Sequence, residues 1–146
     1  MSEPDQRLYF LLQRAAHQLR IIADRRCVAA AGVTTAQLGA LFAVRQQPGL
    51  TQQQLAGILG LRESAVTGLV TRLGAAGLIS KRAHPHEHRA VILDLTEEGV
   101  SVLRSARPVI DRYNAELRTA LGDDQFRQTA SALQKLAYWD PEADGV

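Results

Sequence analysis

Ser64, Thr67 and Thr71 recur at helical spacing in the segment ESAVTGLVTRL, with Arg62 just before it and Arg72 inside it. Side chains this short let a helix approach a surface closely while their hydroxyls bond base edges or phosphate oxygens. The two guanidinium groups supply the positive charge that attracts a polyanion. Ala65, Val66, Leu69, Val70 and Leu73 take the other side of the same helical period, so one face is for burial and the other for display. Gln52 and Gln53, at the start of the preceding segment, offer side-chain amides and backbone N–H groups suited to phosphate. Farther on, the loop AHPHEH ends in Arg89, and an arginine at a hairpin tip can enter a minor groove, where the potential is most negative if the groove is narrow. An ordinary solvated helix face, or an Arg89 that only pairs with Glu87 or Asp94, would use the same residue types. What favours the DNA reading is position, after a capped helix and before a basic hairpin.

The elements that must hold these residues are written in the flanking sequence. Thr51 and Gln54 form a capping box, which predicts a short helix from Gln52 to about Leu59 with Gly60 as its stop. A second helix is predicted from Glu63 to about Ala76. After Gly77 the period changes, and Leu78 to Arg82 and Ala90 to Leu95 read as two short β-strands. Two helices joined by a tight turn and followed by a hairpin make a winged helix-turn-helix, a mainly α fold with a small β-hairpin wing. Residues 51–89 hold five basic and two acidic side chains, a balance of +3, whereas residues 90–146 hold six basic and ten acidic, a balance of −4. Positive charge gathers where duplex DNA would lie.

The remaining chain reads as support. Residues 5–30 lack Gly and Pro, and Leu8, Leu12, Ala15, Leu19 and Ile22 alternate at spacings of four and three, a seam for another helix. Gly32 and the Thr34-Thr35 pair mark a break and a new cap. A helix from about Ala36 to Gln46 should bury Leu38, Leu41 and Phe42 before Pro48-Gly49 turns the chain. Thr96 caps a long helix with Glu97 and Glu98 in its first turn, and Pro108 should bend it. Gly122 ends that helix, and a last one should run from Asp123-Asp124 to Trp139. The terminal helices carry more apolar surface than the small winged part can cover, which predicts a homodimer. Organisation follows as residues 1–33 and 106–146 for dimerisation around a winged helix-turn-helix at 34–105, one compact domain overall. Two-fold symmetry predicts a pseudo-palindromic operator with half-sites roughly 10 base pairs apart.

The sequence also resembles the MarR family of bacterial transcription regulators. The resemblance rests on the approach Leu38 to Leu50 with its PGLT turn, on ESAVTGLVTRL, on GLISKR, and on the wing and its exit, HEHRAVILDLTEEG. Its most specific part is D-x-R-x5-L-T, met here as Glu87-His88-Arg89, five residues, then Leu95-Thr96. Glu87 keeps the charge of the family's aspartate on a longer arm, so a salt bridge bracing Arg89 is set differently. Gly68 stands where a basic residue often follows Val-Thr, which removes a DNA contact and costs about 1 kcal/mol of helix propensity relative to alanine. The resemblance implies a homodimer, most often a repressor, with a cavity for a small aromatic or anionic effector. It also implies, in some relatives, oxidant sensing by a first-helix cysteine.

Cys27, beside Arg25 and Arg26, is the candidate for such sensing, since neighbouring guanidinium groups stabilise a thiolate if they face it; a buried packing thiol is the alternative. His17 is the candidate effector contact, against a structural histidine. His84, His86 and His88 alternate along the wing loop. Zinc ligation is possible on that spacing, but a solvated tip with no metal is the reading adopted. His86 and His88 then serve DNA binding, gaining positive charge as pH falls.

Composition excludes several classes. With 146 residues, 46% hydrophobic, 22% charged and net charge +2, the chain suits a globular domain. No apolar run reaches the 18 or so residues needed to span a bilayer, and Met-Ser-Glu-Pro-Asp is no signal peptide, so a cytoplasmic protein is expected. One cysteine makes no internal disulfide. The chain lacks G-x-S-x-G, a Gly-rich phosphate loop and HExxH, so neither an enzyme nor a cofactor is expected. The function these observations predict is a sequence-specific transcription regulator, a homodimeric repressor released by a small effector or an oxidant. A winged helix that binds protein and not DNA is the alternative.

Overall fold

A computed structural model describes residues 7–143. In chain order the elements are α1 (Leu8–Ala31), α2 (Thr35–Gln46), α3 (Gln52–Leu59), α4 (Glu63–Ala75), β1 (Ile79–Ala83), β2 (Val91–Leu95), α5 (Glu97–Leu121) and α6 (Asp123–Ala137). The chain divides into two compact units, Met1–Ile110 and Asp111–Val146.

Local chemistry explains the boundaries in the first unit. Gly32 closes α1 in the left-handed conformation at φ 73°, its N–H donating to the Val28 carbonyl. Thr34 caps α2 and Thr51 caps α3, each in a reciprocal box with the glutamine three residues on, Gln37 and Gln54. Each box satisfies two helix-start N–H groups that would otherwise lack partners. β1 and β2 pair antiparallel from Ile79 opposite Leu95 to Ala83 opposite Val91. The chain entering α3 lies against β2, with the Leu93 N–H donating to the Leu50 carbonyl at 2.9 Å and Thr51 bridging Ile92. This ties the wing to the start of α3.

The core is built from Leu41 of α2, Leu50, Leu55 of α3, Val66, Val70 and Leu73 of α4, and Leu93 of β2, all fully buried. Burial of each such side chain is worth about 1.5–3 kcal/mol, enough for four short elements to hold one another in place. Leu103 and Ala106 of α5 join the same core.

Three sequence expectations are corrected. Phe42 is 56% exposed, not buried. The buried side of α2 is set by Leu38, Ala40, Leu41, Ala43 and Val44, and at about 100° per residue Phe42 falls nearly opposite its centre. Ala65 is exposed, because Val66, Leu69, Val70 and Leu73 define the apolar stripe of α4 and Ala65 lies at its border. The last helix stops at Ala137 and not Trp139; Tyr138 leaves helical geometry (φ −117°, ψ 13°) shortly before Pro141. The expected start of the first helix at residues 5–6 lies outside the described residues. α5 is one helix through Pro108.

In the second unit, Arg118 lies over the Phe126 ring at 4.8 Å and Arg127 pairs with Asp124 at 2.8 Å. None of the α6 residues is buried, and Leu133, Leu136, Tyr138 and Trp139 are exposed. No single helix among the described residues is long and apolar enough to cross a membrane. α1 and α2 meet that measure only when taken together across a 68° bend, and α2 is core.

Candidate nucleic-acid interface

The apolar stripe of α4 is inside, so its other face is outside by necessity. Arg62, Ser64, Thr67, Thr71 and Arg72 are all exposed there. Arg62 occupies the N-cap position without a side-chain cap, leaving the first-turn N–H groups of α4 open to an acceptor from elsewhere. Gln52 and Gln53 sit in the first turn of α3, Gln52 half-buried and Gln53 exposed. Gln52 Nε2 donates to Thr67 Oγ1 at 3.0 Å, and Thr67 Oγ1 donates to the Glu63 carbonyl at 2.9 Å.

Opposite these residues stands the wing. A cleft of about 520 Å³ has Gln52, Gln53, Glu63 and Thr67 on one side and Glu87, His88 and Arg89 on the other. The candidate helix and the candidate wing arginine therefore border one concave surface. The wing turn is tight: the His84 N–H donates to the Ala90 carbonyl at 3.1 Å and the Arg89 N–H to the Glu87 carbonyl at 3.1 Å. His84 Nδ1 accepts from the backbone N–H groups of His86 (3.1 Å) and Glu87 (2.9 Å). His84 is thus the internal acceptor of the turn, a role its spacing with the other two histidines did not suggest. His86 and His88 are exposed. Among the described residues no group of three His, Cys, Asp or Glu side chains is disposed to hold a metal ion.

Asp94 settles the ion-pair alternative for Arg89. It is taken by Arg82, whose Nε lies 2.7 Å from Asp94 Oδ2. Among the described residues no carboxylate lies within ion-pair distance of Arg89, Glu87 included, so its guanidinium stands exposed at the tip.

Cys27 is 2% exposed, and burial pushes its thiol up, with Asp24 adding to the rise. The thiolate-stabilising setting expected from Arg25 and Arg26 is not what surrounds it. Asp24 itself accepts from the Thr35 N–H at 2.8 Å and the Thr35 hydroxyl at 2.6 Å, joining α1 to the start of α2. His17 is exposed on α1 with Nδ1 3.5 Å from Arg20 Nη2. It is not in the wall of a second cavity of the first unit, about 670 Å³ in volume. That cavity is lined by Leu38, Phe42, Leu103 and Ile110 with Arg45 and Arg107 at its polar parts. The misplaced Phe42 was the missing signal for it, since an aromatic side chain displaced from the core has gone to line a pocket.

Comparison with known proteins agrees with this architecture. The MarR family model matches residues 31–90. The HTH-type transcriptional repressor MdtR of Bacillus subtilis is 30% identical over 110 residues, covering 73% of this chain and 68% of that protein. The transcriptional repressor CouR, of Rhodococcus jostii RHA1, has been solved bound to a 23-mer DNA duplex; it is 27% identical, with 93% of this chain and 99% of that chain covered and a TM-score of 0.82. It has also been solved with p-coumaroyl-CoA, at 28% identity, 91% and 93% coverage and a TM-score of 0.82. The PcaV regulator of Streptomyces coelicolor, in complex with its natural ligand, is 26% identical, with 94% and 97% covered and a TM-score of 0.78. With a winged helix-turn-helix whose α4 and wing frame one cleft, and with these relatives, the chain belongs to the MarR family of transcriptional regulators.

Proposed function

We propose that this protein is a sequence-specific DNA-binding transcription regulator, a cytoplasmic homodimeric repressor and not an enzyme. The observation that carries the reading is the pairing of an outward hydroxylated face on α4 with an uncompensated arginine at the wing tip across one cleft. A helix of this kind fits the major groove, and the wing reaches the adjoining minor groove. In this scheme Ser64, Thr71, Arg62, Arg72 and Gln53 contact bases and phosphates, Arg89 enters the minor groove, and His86 and His88 lie along the backbone. The terminal segments, 1–33 and 106–146, form the dimer, and the apolar seam of α1 with the exposed apolar residues of α6 supports that division.

The effector site of this reading is the cavity of Phe42, Arg45 and Arg107, whose apolar walls and two guanidinium groups suit a small aromatic anion. CouR with p-coumaroyl-CoA supports an aromatic acyl ligand class. Occupancy there bears on α2, and through it on α3 and α4. A coupling of about 1–3 kcal/mol suffices to change promoter occupancy several-fold or more.

The test is binding to duplexes cut from the source genome, read by fluorescence anisotropy over a range of salt. The wild-type chain should bind a subset tightly, and Arg89→Ala should weaken binding and reduce the salt slope by about 1. A slope unchanged by Arg89→Ala would contradict the role given to the wing.

A further inference from the structure

On the outer face of α4, Thr67 differs from its neighbours. Its hydroxyl proton is committed to the Glu63 carbonyl at 2.9 Å, and one of its lone pairs accepts from Gln52 Nε2 at 3.0 Å. A hydroxyl has one proton to give, so Thr67 has no donor left for a base edge. Ser64 and Thr71 have no such partners among the described residues.

The polarity of this relay has a consequence for Gln52. The Glu63 carbonyl can only accept, which forces the Thr67 hydroxyl to donate toward it and to accept from the other side. Thr67 therefore draws the NH₂ end of the Gln52 amide and not its oxygen. A free glutamine amide can turn over and exchange donor for acceptor, whereas this one is held in one sense, with Oε1 and a second N–H left unused. An acceptor and a donor side by side are what reads the N6 and N7 edge of adenine. We infer that Gln52 and Thr67 form one specificity unit, in which Gln52 meets a base edge and Thr67 is the positioning residue that fixes the sense of its amide. The inference rests on the DNA-binding reading above and gives Thr67 an indirect role in place of direct contact.

The experiment selects bound duplexes from a randomised pool with the full-length protein and compares variants. Wild type and Thr67→Ser, which keeps the hydroxyl, should enrich the same half-site. Thr67→Val and Gln52→Ala should each lose preference at the same base pair, by roughly ten-fold, and the double variant should be no worse than Gln52→Ala alone. Wild type should hold a mixed-sequence duplex at low salt, and the melting temperatures of all four variants should stay level with wild type, which separates lost reading from lost folding. Should Thr67→Val fail to fold, Thr67→Ala removes the same hydroxyl at an exposed helix position. A Thr67→Val protein that still selects the wild-type half-site overturns the inference, as do effects of the two single variants at different base pairs. Wild type that holds the mixed-sequence duplex but enriches nothing overturns the unit while leaving DNA binding intact. Wild type that holds no duplex at all removes both.

Discussion

Asp94 determines which arginine of the wing is available. It pairs with Arg82, a neighbour on the facing strand, and leaves Arg89 without a carboxylate partner among the described residues. Both partners are more than a third exposed, so the pair adds little stability, under about 1 kcal/mol. Its effect is to neutralise one cation and spare the other. His84 works at short range: with Nδ1 accepting two backbone N–H groups it shapes the turn. Asp24 gives the clearest pH signature. The Thr35 hydroxyl, then its N–H, and to a lesser degree Arg20, hold its carboxyl below the usual value against the opposing effect of burial. A carboxyl lowered in the folded state stabilises fully above its unfolded value of about 3.9 and loses that contribution as pH falls through the folded value. Asp24→Ala should then cost about 1–2 kcal/mol at pH 7. The gap from wild type should narrow below about pH 4, where the wild-type carboxylate is itself being protonated. Urea denaturation at pH 7, 5 and 3 at one protein concentration measures this, and a gap constant across that range would contradict it.

At the scale of elements, the same substitution should act with opposite sign on two helices. Gly99 lies in the first turn of α5, where a Cβ would run into the Leu78 carbonyl oxygen and come within 2.7 Å of Leu95 Cδ1. That junction is already tied: Thr96 Oγ1 donates to the Gly77 carbonyl at 2.7 Å and accepts from the Gly99 N–H at 3.0 Å. Backbone cannot yield as a flexible side chain does, so Gly99→Ala should destabilise by about 1–3 kcal/mol and loosen the wing at its base. Gly68, on α4, would meet only the movable end of Arg72 at 3.5 Å, and Gly68→Ala should gain up to about 1 kcal/mol of helix propensity. Denaturant midpoints of the two variants decide the matter; a stabilised Gly99→Ala or a destabilised Gly68→Ala would refute the account. The TEEG run was visible in the sequence, but the reason for its glycine was not, because Leu78 is 21 residues away. The same holds elsewhere. Caps at Thr51 and Thr96, stops at Gly32, Gly60 and Gly122, and the change of period after Gly77 are local signals, and the elements they predict fall within a residue or so of those observed. Contacts between Asp24 and Thr35, between Gln52 and Thr67, and between Arg82 and Asp94 join segments 11 to 15 residues apart. Only the packed fold brings them together. The place of Phe42 is not legible in the sequence for a related reason, since apolar character marks a residue for shelter without saying whether core or cavity provides it.

For the whole molecule, the exposed apolar surface is the strongest constraint. Tyr9 on α1 is 66% exposed and Trp139 after α6 is 63% exposed, in company with Leu8, Phe10, Leu133 and Leu136. So much large apolar surface in one chain is more than a stable monomer usually shows, and a second copy would remove it from water at roughly 25 cal/mol per Å². If folding and association are linked in this way, the melting temperature must rise with protein concentration, as it cannot for an independent monomer. A charge set into the seam of α1 by Leu19→Asp should then lower the melting temperature and shift sedimentation toward the mass of one chain. It should also weaken binding to a two-half-site duplex by at least about 100-fold, because two separate protomers lose the effective concentration that joining them supplies. Binding to an isolated half-site should change little, since the α4 and wing residues lie far along the chain from the substitution. A concentration-independent melting temperature together with a one-chain mass for wild type would leave the apolar faces unexplained and would remove the two-fold operator from the mechanism. A dimeric Leu19→Asp protein with unimpaired two-site binding would instead move the interface away from the α1 seam.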